Sequence, residues 1–438
     1  MKPNILYIHS HDTGRYIQPY GYAVPTPNLQ LLAEQGVLFR KAFCAAPTCS
    51  PSRAALLTGQ SAHSSGMLGL AHRGFSLNDY GQHIVSYLKK LGYETALSGV
   101  QHVAKNHETI GYDKWLSDGV DYRVADFMLP SINNYLKSKQ SASGNPFFLS
   151  VGFVETHREF RSTTALEDPR YTLPPAPIPE TPETRLDMAE FKASARVYDN
   201  AVGEILGMLD QYGLAENTLV ISTTDHGIPF PKMKCNLTDH GMGVMLIMRG
   251  PGGFTGGKVV DSMVSHIDIF PTICEVLESE KPDWLQGTSI RPTLEKPTKE
   301  IHEAVFSEVT YHAAYEPKRA VRTPRYKYIR HFDDFNTTVM PNCDDGYAKS
   351  ELSNKGLANR VVEEEYLYDL TFDPCEADNL AELPEMQSIL EDMRQKLQDW
   401  MVSTNDPILD GLPVKAPKGA VVNPQEQCSP NEATIMVD

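Results

Sequence analysis

Cys49 opens the run Cys49-Ser50-Pro51-Ser52-Arg53-Ala54-Ala55-Leu56-Leu57-Thr58-Gly59. Pro51 suits the first turn of a helix, where its missing N–H costs no hydrogen bond. Ser50 or Ser52 can cap that turn, Ala54 to Leu57 continue it, and Gly59 ends it. Residue 49 is therefore expected at a helix N-terminus, where free N–H groups and the helix dipole favour an anion. Arg53 lies one turn further on, a fixed cation beside it. This is a sensible setting for a nucleophile that meets an anionic substrate.

Other chemistry-bearing residues fall where apolar runs end. They are His11 and Asp12, His102, His157, and Asp225 and His226. Any one of these histidines alone reads as an ordinary loop residue. Carboxylates and imidazoles at four strand ends can together hold a divalent cation. A cation beside residue 49 would polarise its reacting group and clamp an oxyanion.

The elements that must position these residues are legible as periodicity. Asn4–Ile8 reads as a buried strand that ends at His9-Ser10-His11-Asp12. Open α/β sheets place their sites at such carboxyl ends. Tyr93–Ser98, Pro146–Phe153, Thr218–Thr223 and Met245–Met248 read as further strands. Pro27–Gly36, Tyr80–Gly92 and Ile267–Leu277 read as helices. Met188, Phe191, Ala195, Tyr198, Val202, Ile205 and Leu209 make one packed face of a long helix. The alternation implies an α/β fold with a large, mixed, mostly parallel sheet sandwiched by helices. After about residue 290 the pattern changes. Glu303–Val309, Ala320–Arg322, Tyr326–His331 and Tyr366–Leu370 read as strands, and Met386–Met401 as a helix. We therefore expect a catalytic domain over 1–290. A smaller α+β subdomain over 291–438 would hold a short antiparallel sheet, a helix and a tail from Pro417 that composition leaves weakly structured.

Composition excludes some functions. The 438 residues carry a net charge of −16, which argues against nucleic acid as a partner. An anionic substrate must be met by a local basic pocket. The seven cysteines show no framework spacing, so reduced thiols are expected. The first residues lack the apolar core of a secretory leader, and no apolar run is long enough to span a membrane. As written the chain reads as cytoplasmic, or as periplasmic or secreted if a leader has been removed.

The run from Cys49 to Gly59 resembles the signature of the formylglycine-dependent sulfatases, within the alkaline phosphatase superfamily. Thr26-Pro27-Asn28-Leu29 resembles a helix start of that family. Tyr366-Leu367-Tyr368-Asp369-Leu370, with Asp373-Pro374, Glu376 and Asn379-Leu380-Ala381, resembles its C-terminal signature. Asp225-His226-Gly227-Ile228-Pro229-Phe230-Pro231, His63, Gly66-Met67, and Thr181-Pro182 with Arg185 and Asp187 are similar to the branch of heparan N-sulfatases, the sulfamidases.

The resemblance implies an alkaline phosphatase-like fold and assigns roles. Cys49 would be oxidised to Cα-formylglycine, both nucleophile and metal ligand, with Arg53 steadying its hydrate. Asp12 and Asp225 would bind the metal, with His11 and His226 beside them. His102, His157 and Lys234 would serve the leaving group and the sulfate, and His312 would approach the sugar. Calcium is the family's ion. Three departures stand out: Val100 where the family has a sulfate-binding lysine, His11 for an aspartate, and His226 for an asparagine. Gln101 or Lys105 is placed to compensate for the first. The two imidazoles make manganese or zinc an alternative to calcium. The activity implied is exo-acting hydrolysis of a sulfate ester or sulfamate on a saccharide of the N-sulfoglucosamine type. The partners implied are that substrate and a formylglycine-generating maturation enzyme, with a homodimer as one assembly. A phosphodiesterase or phosphonate monoester hydrolase on the same scaffold is the alternative enzyme. A non-catalytic glycan binder is the alternative of another class.

Overall fold

A computed structural model of the chain describes residues 2–140 and 144–438. Nine strands form one sheet: β1 (Asn4–His9), β2 (Val37–Phe43), β3 (Glu94–Gly99), β4 (Lys114–Trp115), β5 (Phe147–Gly152), β6 (Thr218–Thr223), β7 (Gly243–Val244), β8 (Leu246–Arg249) and β9 (Lys258–Ser265). Their spatial order is β4-β3-β5-β1-β6-β8-β2-β7, with β9 also beside β2. β4, β3, β5, β1 and β6 run parallel. β8 is antiparallel to both β6 and β2, so β2 points the same way as β6.

Strand alternation divides the sheet between two cores. Ile5 and Tyr7 of β1 join the core containing helices Cys49–Thr58, Ile84–Lys90 and Ile269–Val276. Leu6 and Ile8 join the opposite core with helices Pro27–Gln35, Ala125–Ser138 and Pro182–Gln211. Side chains two apart share a face, so both faces of one short strand are covered by helices. The long helix starts at a capping box made by Thr181 and Thr184. Its buried Asp199 caps a different helix, accepting from Leu29 N at 2.8 Å and Asn28 N at 3.1 Å.

Several local expectations need correction. Tyr80–Gly92 is not one helix. It is a 3-10 turn, Tyr80–Gln82, then helix Ile84–Lys90, separated by extended His83. The His83 ring accepts from Val85 N at 3.2 Å and so caps the second piece. Neither Ser50 nor Ser52 caps the helix at Cys49. Ser50 Oγ accepts from Ala71 N and Ser52 Oγ donates to Asp225 O. β2, β9 and helix Ala125–Ser138 lack a clear sequence signal. Arg40 and Lys41 interrupt β2, and Pro130 sits inside the helix.

The smaller sheet is antiparallel: β10 (Val305–Tyr311), β11 (Tyr315–Arg322), β12 (Tyr326–His331) and β13 (Glu365–Asp369) lie in that order. Val321, Tyr328 and Leu367 face helix Gln387–Ser403. Ala320, Ile329 and Tyr368 face the other way and join the core of the large sheet. The tail is better anchored than composition suggests. Val421–Val422 pairs with Ile435–Met436, and Asn423 accepts from Arg73 at 2.7 Å. All seven cysteines are free. Among the described residues, no helix is long and apolar enough to cross a membrane.

Candidate active site

The register of the parallel strands brings the site together. Gly99, Gly152, His9 and Thr223 stand side by side across β3, β5, β1 and β6. The chain leaving these positions carries His102, His157, His11 with Asp12, and Asp225 with His226. β2 ends at Phe43, and the chain runs on into the helix that starts at Cys49. That helix has no side-chain cap. Its first N–H groups therefore keep the anion-binding character of a helix N-terminus.

Five side chains converge there. His11, Asp12, Cys49, Asp225 and His226 are all buried, and one ligand atom from each lies within 4.8 Å of all the others. His11 Nδ1 is 2.7 Å from Asp12 Oδ1 and 3.3 Å from Asp225 Oδ2. His226 Nε2 is 3.3 Å from Asp12 Oδ1 and 3.5 Å from Cys49 Sγ. Asp12 sits at φ 57 and donates its N–H to Asp225 Oδ1 at 2.8 Å. Two carboxylates and two imidazoles aimed into one buried space fit a divalent cation.

Two cations flank this cluster. Arg53 donates to Asp225 Oδ2 at 2.9 Å and to Ser10 O at 3.1 Å, and also contacts His9. Lys234 Nζ lies 2.9 Å from Asp12 Oδ2 and 2.8 Å from Asp344 Oδ2. Burial alone would raise the Asp12 carboxyl, but Lys234 and the surrounding histidines hold it well below the usual carboxylate range. Burial would likewise lower Lys234, but Asp12 and Asp344 hold its ammonium well above the ordinary value. Burial pushes the His11 imidazole down to about 4, against the pull of Asp225 and Asp12. Burial also pushes the Cys49 thiol well above its ordinary value, with Lys234 only partly opposing. As a thiol, Cys49 is a poor nucleophile.

A cleft of about 520 Å³ opens beside the cluster. His11, His102 and His157 line it with His72, Trp115 and Tyr122. Lys105 also lines it and is exposed. Gln101 turns back on its own loop, accepting from Val103 N at 2.5 Å and Ala104 N at 2.8 Å and donating to Ala104 O at 2.5 Å. It braces the loop that carries His102 at φ 55. His312 is buried and does not line the cleft. Sequence reading missed Asp344 and His72. His72 stacks on His102 with ring centroids 5.7 Å apart. Asp344 lies in a loop with no periodic pattern, and only its acidity beside a basic site could have drawn attention.

The sulfatase family model matches residues 3–279, and the model of the N-sulphoglucosamine sulphohydrolase C-terminal region matches 233–354. The chain belongs to the sulfatase family. It is 30% identical to an ulvan-active sulfatase of Formosa agariphila, over 95% of this chain and 84% of that one. It is 29% identical to human N-sulphoglucosamine sulphohydrolase, over 93% of this chain and 90% of that one. Solved structures share its fold. One, in complex with its substrate D-glucosamine-2-N,6-O-disulfate, matches with a TM-score of 0.72 at 18% identity, covering 93% of this chain and 99% of that one. Another, of a 2-O glycosaminoglycan sulfatase, matches with a TM-score of 0.70 at 22% identity, covering 95% of each. This sulfatase is accordingly a sulfuric ester hydrolase on an alkaline phosphatase-like fold. At the first departure from the family pattern, Val100 lines the cleft and is nearly buried, and its N–H bonds Gly152 O.

Proposed function

We propose that this sulfatase is formylglycine-dependent and removes a sulfate or sulfamate group from the end of a sulfated saccharide of the N-sulfoglucosamine type. The observation that carries this reading is the position of Cys49. It stands at an uncapped helix N-terminus, 3.5 Å from His226, within the five-residue ligand cluster. The adjoining cleft combines imidazoles with Trp115 and Tyr122, a lining suited to a sugar ring that carries an anion. Its volume of about 520 Å³ supports action on a terminal sugar. The net charge of −16 fits the same exo action, because only the local cations draw the substrate in. The relatives named for N-sulphoglucosamine and ulvan support the saccharide class.

Conversion of Cys49 supplies an aldehyde hydrate whose hydroxyl is the nucleophile toward sulfur, and so removes the difficulty of the buried thiol. A divalent cation held by His11, Asp12, Asp225, His226 and residue 49 would polarise the sulfuryl oxygens and that hydroxyl. Calcium is the family's ion, with manganese or zinc the alternative that the two imidazoles allow. Arg53 fixes Asp225 and places positive charge beside residue 49. Lys234 supplies a second fixed charge where negative charge grows on the sulfuryl group. His102 and His157 face the cleft, and one of them hands a proton to the departing oxygen or nitrogen.

The test begins with protein made alongside a formylglycine-generating enzyme. The tryptic peptide carrying Cys49 should be lighter than the thiol form by about 18 Da, the replacement of CH₂SH by CHO. N-sulfated and O-sulfated glucosamine are then compared as substrates. An unmodified Cys49 with turnover of phosphodiesters would overturn the reading in favour of the phosphodiesterase alternative.

A further inference from the structure

A second groove lies where the segment after β6 meets the small sheet. It measures about 450 Å³ and shares no lining residue with the active-site cleft. Its walls include Lys232, Lys318, His331, Arg360 and Tyr366.

The charges here do not cancel. The two carboxylates lining the groove are already committed. Glu316 meets Lys318 at 2.5 Å and Asn342 Nδ2 at 2.9 Å. Glu376 meets Lys327 at 3.0 Å and accepts from Asp239 N at 2.5 Å. Among the described residues, neither the Lys232 ammonium nor the Arg360 guanidinium meets a carboxylate. Yet they stand close enough that burial and then the Arg360 charge push Lys232 down from its ordinary value. Two like charges left facing one groove favour an anion between them. The other wall is aromatic. Tyr366 stacks on Tyr368 at 5.9 Å and meets the His331 ring edge-on at 5.8 Å. A ring face beside paired cations suits a sugar that bears an oxyanion.

We propose that the groove lined by Lys232, Arg360 and Tyr366 is a second binding site for a sulfated saccharide, separate from the cleft that performs hydrolysis. The ligand class rests on the function proposed above. The site itself rests on the unpaired cations and the aromatic wall. Cys235 and Cys343 also line the groove, and they adjoin Lys234 and Asp344 in the chain, so the groove lies next to that ion pair. An enzyme of net negative charge gains from such a site a local means to hold a sulfated saccharide at its surface.

The test is calorimetric titration of the full chain with a sulfated tetrasaccharide and its unsulfated counterpart. It compares the parent with the double variant Lys232→Gln, Arg360→Gln. Glutamine removes the charge and stays unbranched at Cβ, which suits Lys232, whose φ of 64 would strain a β-branched residue. The parent should show two binding events for the sulfated sugar. The variant should lose or weaken one of them by about tenfold, as expected when charge-assisted contacts are removed. Hydrolysis of a small aryl sulfate should stay unchanged. Equal stoichiometry and affinity in a folded variant would overturn the proposal. Because the readout is binding rather than turnover, a groove that binds in a protein inactive on saccharides still supports this site while refuting the proposed substrate.

Discussion

Lys234 Nζ lies 2.8 Å from Asp344 Oδ2, and the same ammonium lies 2.9 Å from Asp12 Oδ2. The lysine is thus held between the ligand cluster and an acid from the chain that precedes β13. Asp344→Asn removes one of those holds and lets Lys234 settle on Asp12. We expect kcat/KM on a sulfated glucosamine to fall about tenfold, the equivalent of about 1.4 kcal/mol in transition-state stabilisation. The loss should appear in kcat more than in KM. Parental kinetics in the variant would show that Asp344 serves folding alone.

Gln101 braces the loop of His102 through three bonds to its own backbone. Gln101→Ala frees that loop and the left-handed conformation of His102. If His102 acts as proposed, misplacing it should lower kcat between about tenfold and a hundredfold. Gln101→Glu keeps the two accepted bonds and should recover part of the loss. Equal rates in the two variants would remove the bracing role.

Two buried carboxylates and two imidazoles share the metal-type cluster. A cation that binds only the folded chain stabilises it by about 2.7 kcal/mol at a hundred times its Kd. Melting of chelator-treated protein should therefore shift upward on adding calcium, manganese or zinc. The ion with the largest shift identifies the preferred occupant. Asp225→Asn should lose most of the shift, and a shift of parental size in that variant would place the ion elsewhere.

His302 Nε2 meets the buried Asp268 Oδ2 at 2.8 Å. Burial alone would lower the imidazole, but the hydrogen bond and charge of Asp268 raise its pKa above 6.5. The folded state thus holds the proton more tightly than the unfolded one. The resulting stability is fully present below about pH 6.5 and is lost as pH rises through the folded value. His302→Gln should flatten this slope, so that parent and variant melting curves converge above neutrality. A constant gap from pH 6 to 9 would exclude the linkage.

Local signals made much of this protein readable. Cys49 to Gly59 folds as a helix stopped by left-handed Gly59, as its local sequence implies, although neither serine caps it, because helix formation and its stop depend on neighbours in sequence. β1, β5 and β6 are buried throughout and each carries an apolar run, because both faces of each are covered. The same rule hid β2. Its Arg40 is exposed and Lys41 only half-buried, while Val37, Phe39, Ala42 and Phe43 pack into one core and Leu38 into the other.

The sequence by itself determined the Cys49–Gly59 helix, the strand-end positions of His11, Asp12, Asp225 and His226, and the α/β class. Those rest on short-range periodicity and on residue chemistry. Only the tertiary structure decided that Asp344 faces Lys234, that His72 stacks on His102, and that Gln101 spends its amide on its own loop. It also decided that β8 runs antiparallel and that the tail from Ala420 pins Arg73 through Asn423. The first two join residues far apart in the chain and β8's direction follows from its pairing with β6 and β2, so no local pattern could register them. They exist because burial in two shared cores fixes the elements relative to one another.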